Sequence, residues 1–89
     1  MKIILTVTGL DHVGIIATVT TRLAELDVNV ENLSQTLMGG YFTMILQGSF
    51  DETQRNIEQI QEALAPAAEE AKVEIRAQSA EIFEAMHSL

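Results

Sequence analysis

The sequence contains no cysteine and few basic residues, and both shortages exclude classes of protein. Without cysteine there is no disulfide, no thiolate metal site and no cysteine nucleophile, which fits a cytoplasmic protein. Five basic residues stand against 13 acidic ones, for a formal net charge of −8. Because nucleic acids and anionic membranes are bound through clustered positive charge, we expect neither as a direct partner. Small molecules and other proteins remain as expected partners.

Long apolar runs and clusters of proline or glycine are also missing. No run approaches the roughly 18 apolar residues of a membrane span. Only three apolar residues separate Lys2 from Thr6, too few for the core of a signal peptide. One proline and five glycines exclude a low-complexity chain. We therefore expect a folded cytoplasmic domain, prone to pair with other subunits because so short a chain buries only about 60% of its unfolded surface.

Hydrophobic periodicity predicts six main elements. Strands are expected over residues 2–8, 28–38, 41–50 and 72–78, and helices over about 13–26 and from 51 or 52 onward. Gly9 is expected to close the first strand, and Gly39-Gly40 to form a hairpin turn. The second strand loses its alternation near Glu31 and Asn32, which indicates a bulge. Pro66 is expected to interrupt the second helix and open a short segment that reaches Ala71.

The order strand, helix, strand, strand, helix, strand predicts an α+β, ferredoxin-like βαββαβ sandwich over residues 1–79. Two right-handed crossovers put both helices on one face of a four-stranded antiparallel sheet. The opposite face is expected to be mixed, and either wet or partly covered by the tail of this subunit or its partner. Its predicted members are Ile4, Thr6, Tyr41, Thr43, Ile45, Glu74 and Arg76.

Residues 80–89 predict a short amphipathic C-terminal helix. Its apolar positions are Ile82, Phe83, Met86 and Leu89. This stripe either completes the core or a dimer, or it docks on another protein.

No catalytic motif, metal site or cofactor is expected. The two histidines, His12 and His87, lack neighbours that would form a nucleophile–base pair. Asp11 and His12 supply only two adjacent candidates for a metal that needs at least three ligands. A small enzyme that uses His12 and Asp11 remains a third hypothesis, and loss of turnover in His12→Ala would support it.

One segment has the chemistry of a ligand site. Residues 9–14, Gly-Leu-Asp-His-Val-Gly, lie between a strand end and a helix start. The first turn of a helix presents unpaired N–H groups that can hold a carboxylate, and the Asp11 carboxylate can accept from an ammonium group. The loop can therefore bind a zwitterionic amino acid. Purely structural roles are also open: Gly9 as a strand end, Asp11 as a cap and Gly14 as a packing contact.

The sequence resembles the ACT domains, small regulatory modules, and within them the stand-alone proteins of about 90 residues related to the glycine-cleavage transcriptional repressor. The matching segments are 9–16 (GLDHVGII), 26–30 (LDVNV), 33–36 (LSQT), 41–44 (YFTM), 73–76 (VEIR) and 82–87 (IFEAMH).

The resemblance implies a homodimer, or a higher homo-oligomer, that pairs through its first helix and second strand. A small effector, usually an amino acid, would bind at that interface. The implied ligand-binding positions are Gly9, Asp11, His12, Val13, Gly14 and Asn29. Asn29 would approach the loop of the partner subunit; a turn residue after the helix is its simpler explanation. The competing function is a protein-interaction subunit that keeps the fold and binds no small ligand.

Overall fold

Six elements follow one another in the computed structural model, which describes residues 1–82. They are β1 (Lys2–Leu10), α1 (Ile15–Glu25), β2 (Asn29–Met38), β3 (Tyr41–Ser49), α2 (Ile57–Ala71) and β4 (Glu74–Ser79). The strands form one antiparallel sheet in the order β2-β3-β1-β4. Residues 80–82, after β4, are helical. The predicted ferredoxin-like fold is confirmed. The rest of the predicted tail stripe, Phe83, Met86 and Leu89, lies outside the described residues, as does His87.

One face of the sheet and the inner faces of both helices enclose a single core. Alternate residues of β1 and β3 point into it because successive strand side chains alternate between the two faces. Residues three or four positions apart on each helix complete it. The fully buried large side chains are Ile3, Leu5, Val7, Ile15, Val19, Leu23, Met44, Leu46 and Ile60.

The structure confirms the predicted turn between β2 and β3 and the predicted bulge in β2. Gly39 and Gly40 form the turn, both with positive φ. The register of β2 on β3 shifts between Val30 and Asn32, so Glu31 is the bulged residue.

The first strand and the last one differ from their predicted bounds. β1 does not close at Gly9, because Gly9 pairs with Phe42 and Leu10 with Tyr41. A Cβ at Gly9 would lie 2.9 Å from Val73 Cγ1. Glycine at this position therefore lets the backbone of residues 72 and 73 pass close to β1. β4 begins at Glu74 instead of 72, because Lys72 adopts a left-handed conformation (φ 55°) that ends α2.

The second helix was predicted wrongly at its start and in its middle. Asp51 Oδ1 accepts from the Thr53 amide at 2.9 Å and the Thr53 hydroxyl at 2.6 Å, so its carboxylate stabilises a local turn. The helix begins six residues later with a capping box between Asn56 and Gln59. It then runs through Pro66 without a break. Buried Leu64, Ala67 and Ala71 hold the turns on both sides of the proline against the core.

The two edges of the sheet differ in character. β2, at one edge, is exposed along its length except for half-buried Leu33. β4, at the other edge, carries Glu74 and Arg76, whose side chains form an exposed ion pair at 2.9 Å. Among the described residues, no helix is long and apolar enough to cross a membrane.

Candidate functional site

The loop of residues 11–14 joins the end of β1 to the start of α1 and is held against the hairpin between β2 and β3. The Asp11 amide donates to the Gly40 carbonyl oxygen at 2.8 Å. This bond extends the pairing of β1 with β3 by one step beyond Leu10 and Tyr41. The conformation of the loop is therefore coupled to that of the hairpin.

Gly14 is the N-cap of α1 and leaves the helix start open. Its φ of 96° lies in the left-handed region, which glycine adopts without the strain that a side chain would cause. No side chain caps the first turn, and that turn contains no acidic residue. The first free amides of α1 can therefore donate hydrogen bonds to an anionic group, which the positive end of the helix dipole also attracts.

His12 ties the loop to the end of α2. Its Nε2 contacts the carbonyl oxygen of Ala71, and its Nδ1 lies 3.0 Å from the carbonyl oxygen of Val13. Because carbonyl oxygens only accept, a ring with its proton on Nε2 donates to Ala71 and links the loop to α2. Neither nitrogen faces a nucleophilic side chain, so the described residues contain no histidine-based catalytic pair. No group of three potential metal ligands occurs within residues 1–82 either.

An open pocket of about 600 Å³ lies between this loop and the ends of the two helices. Four predicted site residues line it: Asp11, His12, Val13 and Gly14. Val13 is fully exposed. Leu10, Thr18, Glu70, Ala71 and Lys72 complete the lining. This volume is in the range of small-molecule sites, and the lining combines apolar walls with a few polar groups.

The wall formed by α2 was missed from the sequence. Glu70 and Lys72 are far from the loop in the chain and carry no local motif. The one available signal was topological, since two crossovers on one face bring the end of α2 beside the start of α1.

Two of the predicted residues lie elsewhere. Gly9 is half-buried inside β1, and the close approach of Val73 explains why glycine is found there. Asn29 lies at the opposite end of the sheet, because it pairs with Ser49, which pairs with Lys2 at the start of β1. Asn29 is exposed and does not line the loop pocket of its own chain.

A perturbed carboxyl group lies outside this site. The pKa of Asp51 is lowered by its hydrogen bonds from the Thr53 hydroxyl and amide. This shift belongs to the turn before α2 and marks no catalytic group.

Comparison with known proteins identifies the family. The profile of the ACT domain family matches residues 2–78. The chain belongs to the ACT domain family. A UPF0237 protein of Corynebacterium diphtheriae is 52% identical, over 98% of each chain. The solved structure of an ACT domain protein from Streptococcus pneumoniae matches with a TM-score of 0.83 at 39% identity, over 94% of each chain.

A more distant structure shares the ACT domain fold. It is a candidate glycine cleavage system transcriptional repressor, matched with a TM-score of 0.75 at 18% identity over 86% of this chain and 44% of that one. The resemblance noted from the sequence is thereby confirmed at the level of family and fold. In this ACT domain, the loop of residues 11–14 suits a small ligand, because the first amides of α1 are free and a pocket lies beside them.

Proposed function

We propose that this ACT domain is a non-enzymatic regulatory module of the cytoplasm that binds an amino acid at a homodimer interface. One observation carries the proposal: the Asp11 carboxylate and the uncapped first turn of α1 lie in one short loop beside an open pocket. The negative charge of Asp11 and the partial positive charge at the start of α1 match the two ends of a zwitterion.

Each end of the ligand has a partner in the loop. The α-carboxylate would accept from the free amides that follow Gly14, where the helix dipole adds a favourable field. The α-ammonium group would donate to Asp11. Since hydrogen bonds to charged groups contribute about 1.5–3 kcal/mol, removing the Asp11 charge is expected to weaken binding roughly 10- to 100-fold.

The exposed edge strand supports a homodimer. Within residues 1–82, no strand pairs with the outer edge of β2, and such an edge is a template for another strand. A second copy of β2, added antiparallel, would extend the sheet to eight strands. The bulge at Glu31 limits regular pairing to residues 32–38.

The same pairing would bring Asn29 to the ligand loop of the other copy. Antiparallel strands put the start of one β2 beside the end of the other, next to the 38–41 hairpin. That hairpin holds Asp11 through Gly40. The partner's Asn29 would therefore approach the outer side of the loop, and its amide could hydrogen-bond to the ligand.

A ligand shared by two subunits would act by population shift. Ligand held between the loop and the partner's Asn29 stabilises the dimer geometry that closes on it, and dimerisation strengthens ligand binding in return. A separate enzyme or regulator would respond to the surface of that geometry.

Thermal unfolding with each of the twenty amino acids tests the proposal. At 100 times its Kd, a ligand adds about 2.7 kcal/mol to stability, which raises the Tm of a domain this small by roughly 10 to 20 °C. At the same ligand concentration, we expect Asp11→Asn and Asn29→Ala to remove about half of the shift or more. Glu62→Gln, on the exposed face of α2 and outside the loop pocket, is the matched control and is expected to preserve it.

Two other outcomes would contradict the proposed interface site. Loss of the shift in Glu70→Gln, on the α2 wall of the loop pocket, with retention in Asn29→Ala would assign the ligand to the pocket within one chain and contradict an interface site. No shift with any amino acid would favour the protein-interaction subunit.

A further inference from the structure

The face of the sheet opposite the helices carries a large region without charge. Open-face residues alternate with core residues along β1, β2 and β3, and the strand register aligns them in four rows of three. We call this region the neutral face. Its rows are Ile4, Gln47 and Asn32; Thr6, Ile45 and Ser34; Thr8, Thr43 and Thr36; and Leu10, Tyr41 and Met38.

The last of these rows leaves large apolar side chains in water. Tyr41 pairs directly with both Leu10 and Met38, so the three side chains lie side by side. Leu10 and Tyr41 are each 63% exposed and Met38 is 75% exposed. Ile4, in the first row, is only 5% exposed and lines a small recess with Ala80. The uncovered apolar surface therefore lies towards the hairpin end.

Charged groups border the neutral face without entering it. Lys2 and Glu31 lie beyond its first row and form an ion pair at 3.6 Å. Glu74 and Arg76 lie on β4 and also pair with each other. Glu74 and Arg76 are on the same side of the sheet beside Thr8 and Thr6, at the margin of the neutral face. Two copies of a chain with net charge −8 repel at most surfaces, but contact through the neutral face allows close approach with the charged groups left at its margin. Depletion of charge at the centre, with apolar and uncharged polar residues mixed, is typical of protein–protein interfaces.

We propose that the neutral face is a second interface, through which two dimers of this chain stack face to face into a tetramer. The proposal rests on the dimer proposed above and adds a surface to it. Two twisted sheets pack about 10 Å apart with their strands aligned within about 30°, and threonine and serine hydroxyls can hydrogen-bond across such a contact.

The area of the neutral face explains why dimers would be the unit that stacks. Strands lie about 4.8 Å apart and same-face residues about 6.7 Å apart, so one chain offers roughly 14 Å by 27 Å, or about 400 Å². That is half of the roughly 800 Å² that each partner buries in an interface of standard size. Pairing of the β2 edges joins two neutral faces into one surface of about 800 Å².

Sedimentation velocity over a range of protein concentrations tests the tetramer. The unaltered protein is expected as four chains. Thr43→Glu adds a charge to the central strand of the neutral face in every copy and is expected to halve the mass. Gln54→Glu adds the same charge in the exposed loop before α2 and is expected to leave four chains. Thr43→Val, which keeps the shape and removes a hydroxyl, is also expected to keep four.

The failures of the two proposals are distinguishable. A two-chain mass for the unaltered protein at every concentration overturns the neutral-face interface and leaves the ligand-binding dimer standing. A one-chain mass overturns both. A four-chain mass that survives Thr43→Glu, in protein whose circular dichroism matches the unaltered chain, assigns the contact to another surface. A chain ending at residue 82 is expected to keep four chains, and a fall to two would assign the contact to the tail.

Discussion

At the residue scale, the contacts of His12 show what local sequence can and cannot reveal. The loop between β1 and α1 was predictable because its glycines, its aspartate and its position before a helix all lie within six residues. The bond from His12 to Ala71 joins residues 59 positions apart. No local pattern encodes such a contact, so the role of His12 as a tether emerged only from the fold.

His12→Phe is expected to loosen the loop while preserving a ring of similar size. The change removes the Nε2 donor to the Ala71 carbonyl oxygen, and such a bond contributes about 0.5–1.5 kcal/mol. Faster amide hydrogen exchange across residues 11–14 is the measurement. Asp11→Asn is the control, because the Asp11 bond to Gly40 is made by the backbone amide and survives the change. Equal exchange rates in His12→Phe and the unaltered chain would contradict the tether.

At the element scale, the strands were easier to predict than the second helix. Side chains of a strand alternate between its two faces, and a bulge interrupts that alternation. The sequence pattern therefore predicted both the alternating burial of β3 and the bulge in β2 that the structure shows. Asp51 and Glu52 have the composition of a helix start, but Thr53 draws the Asp51 carboxylate into a turn. Local hydrogen bonding thus holds residues 51–53 in a turn, and the helix starts only after Asn56.

Asn56→Ala is expected to destabilise the fold by about 1 kcal/mol, because a side-chain N-cap contributes about that much. For a domain of this size, the Tm would fall by roughly 4 to 8 °C. Thermal unfolding at one fixed protein concentration measures the change, since association also shifts Tm.

Gln59→Ala, which removes the reciprocal bond, and the double variant complete a cycle that isolates their coupling. Glu58→Ala changes a first-turn charge and leaves both bonds of the capping box. An effect of Glu58→Ala as large as that of Asn56→Ala would argue against the capping box as the source of stability.

At the scale of the whole molecule, the regular part of β2 defines the centre of the proposed dimer. Residues 32–38 have Gln35 at their midpoint, and a two-fold axis there sets Leu33 opposite the partner's Leu37. Leu33 and Leu37 pair with the core residues Leu46 and Phe42, so both lie on the helix side of the sheet. An axis at Gln35 therefore joins apolar side chains across the dimer.

Gln35→Cys is expected to form a disulfide between two chains under mild oxidation. The chain has no other cysteine, and Cα atoms directly opposite in an antiparallel pair lie about 4.5–5.5 Å apart, within the range of a disulfide. Asn32→Cys is the matched control, because its two copies would lie roughly 20 Å apart. Non-reducing electrophoresis reads out the product, and cross-linking of Asn32→Cys in preference to Gln35→Cys would contradict the proposed axis.

The difference between the two sheet edges limits how far strand addition can proceed. The uncharged segment 32–38 of β2 invites one further strand, whereas β4 presents Glu74 and Arg76 at the other edge, and charges there discourage strand addition. An eight-stranded sheet built on β2 would therefore end in β4 on both sides. Strand addition would stop at these charged edges, so a chain whose other edge favours pairing would form a closed dimer and resist growth into fibrils.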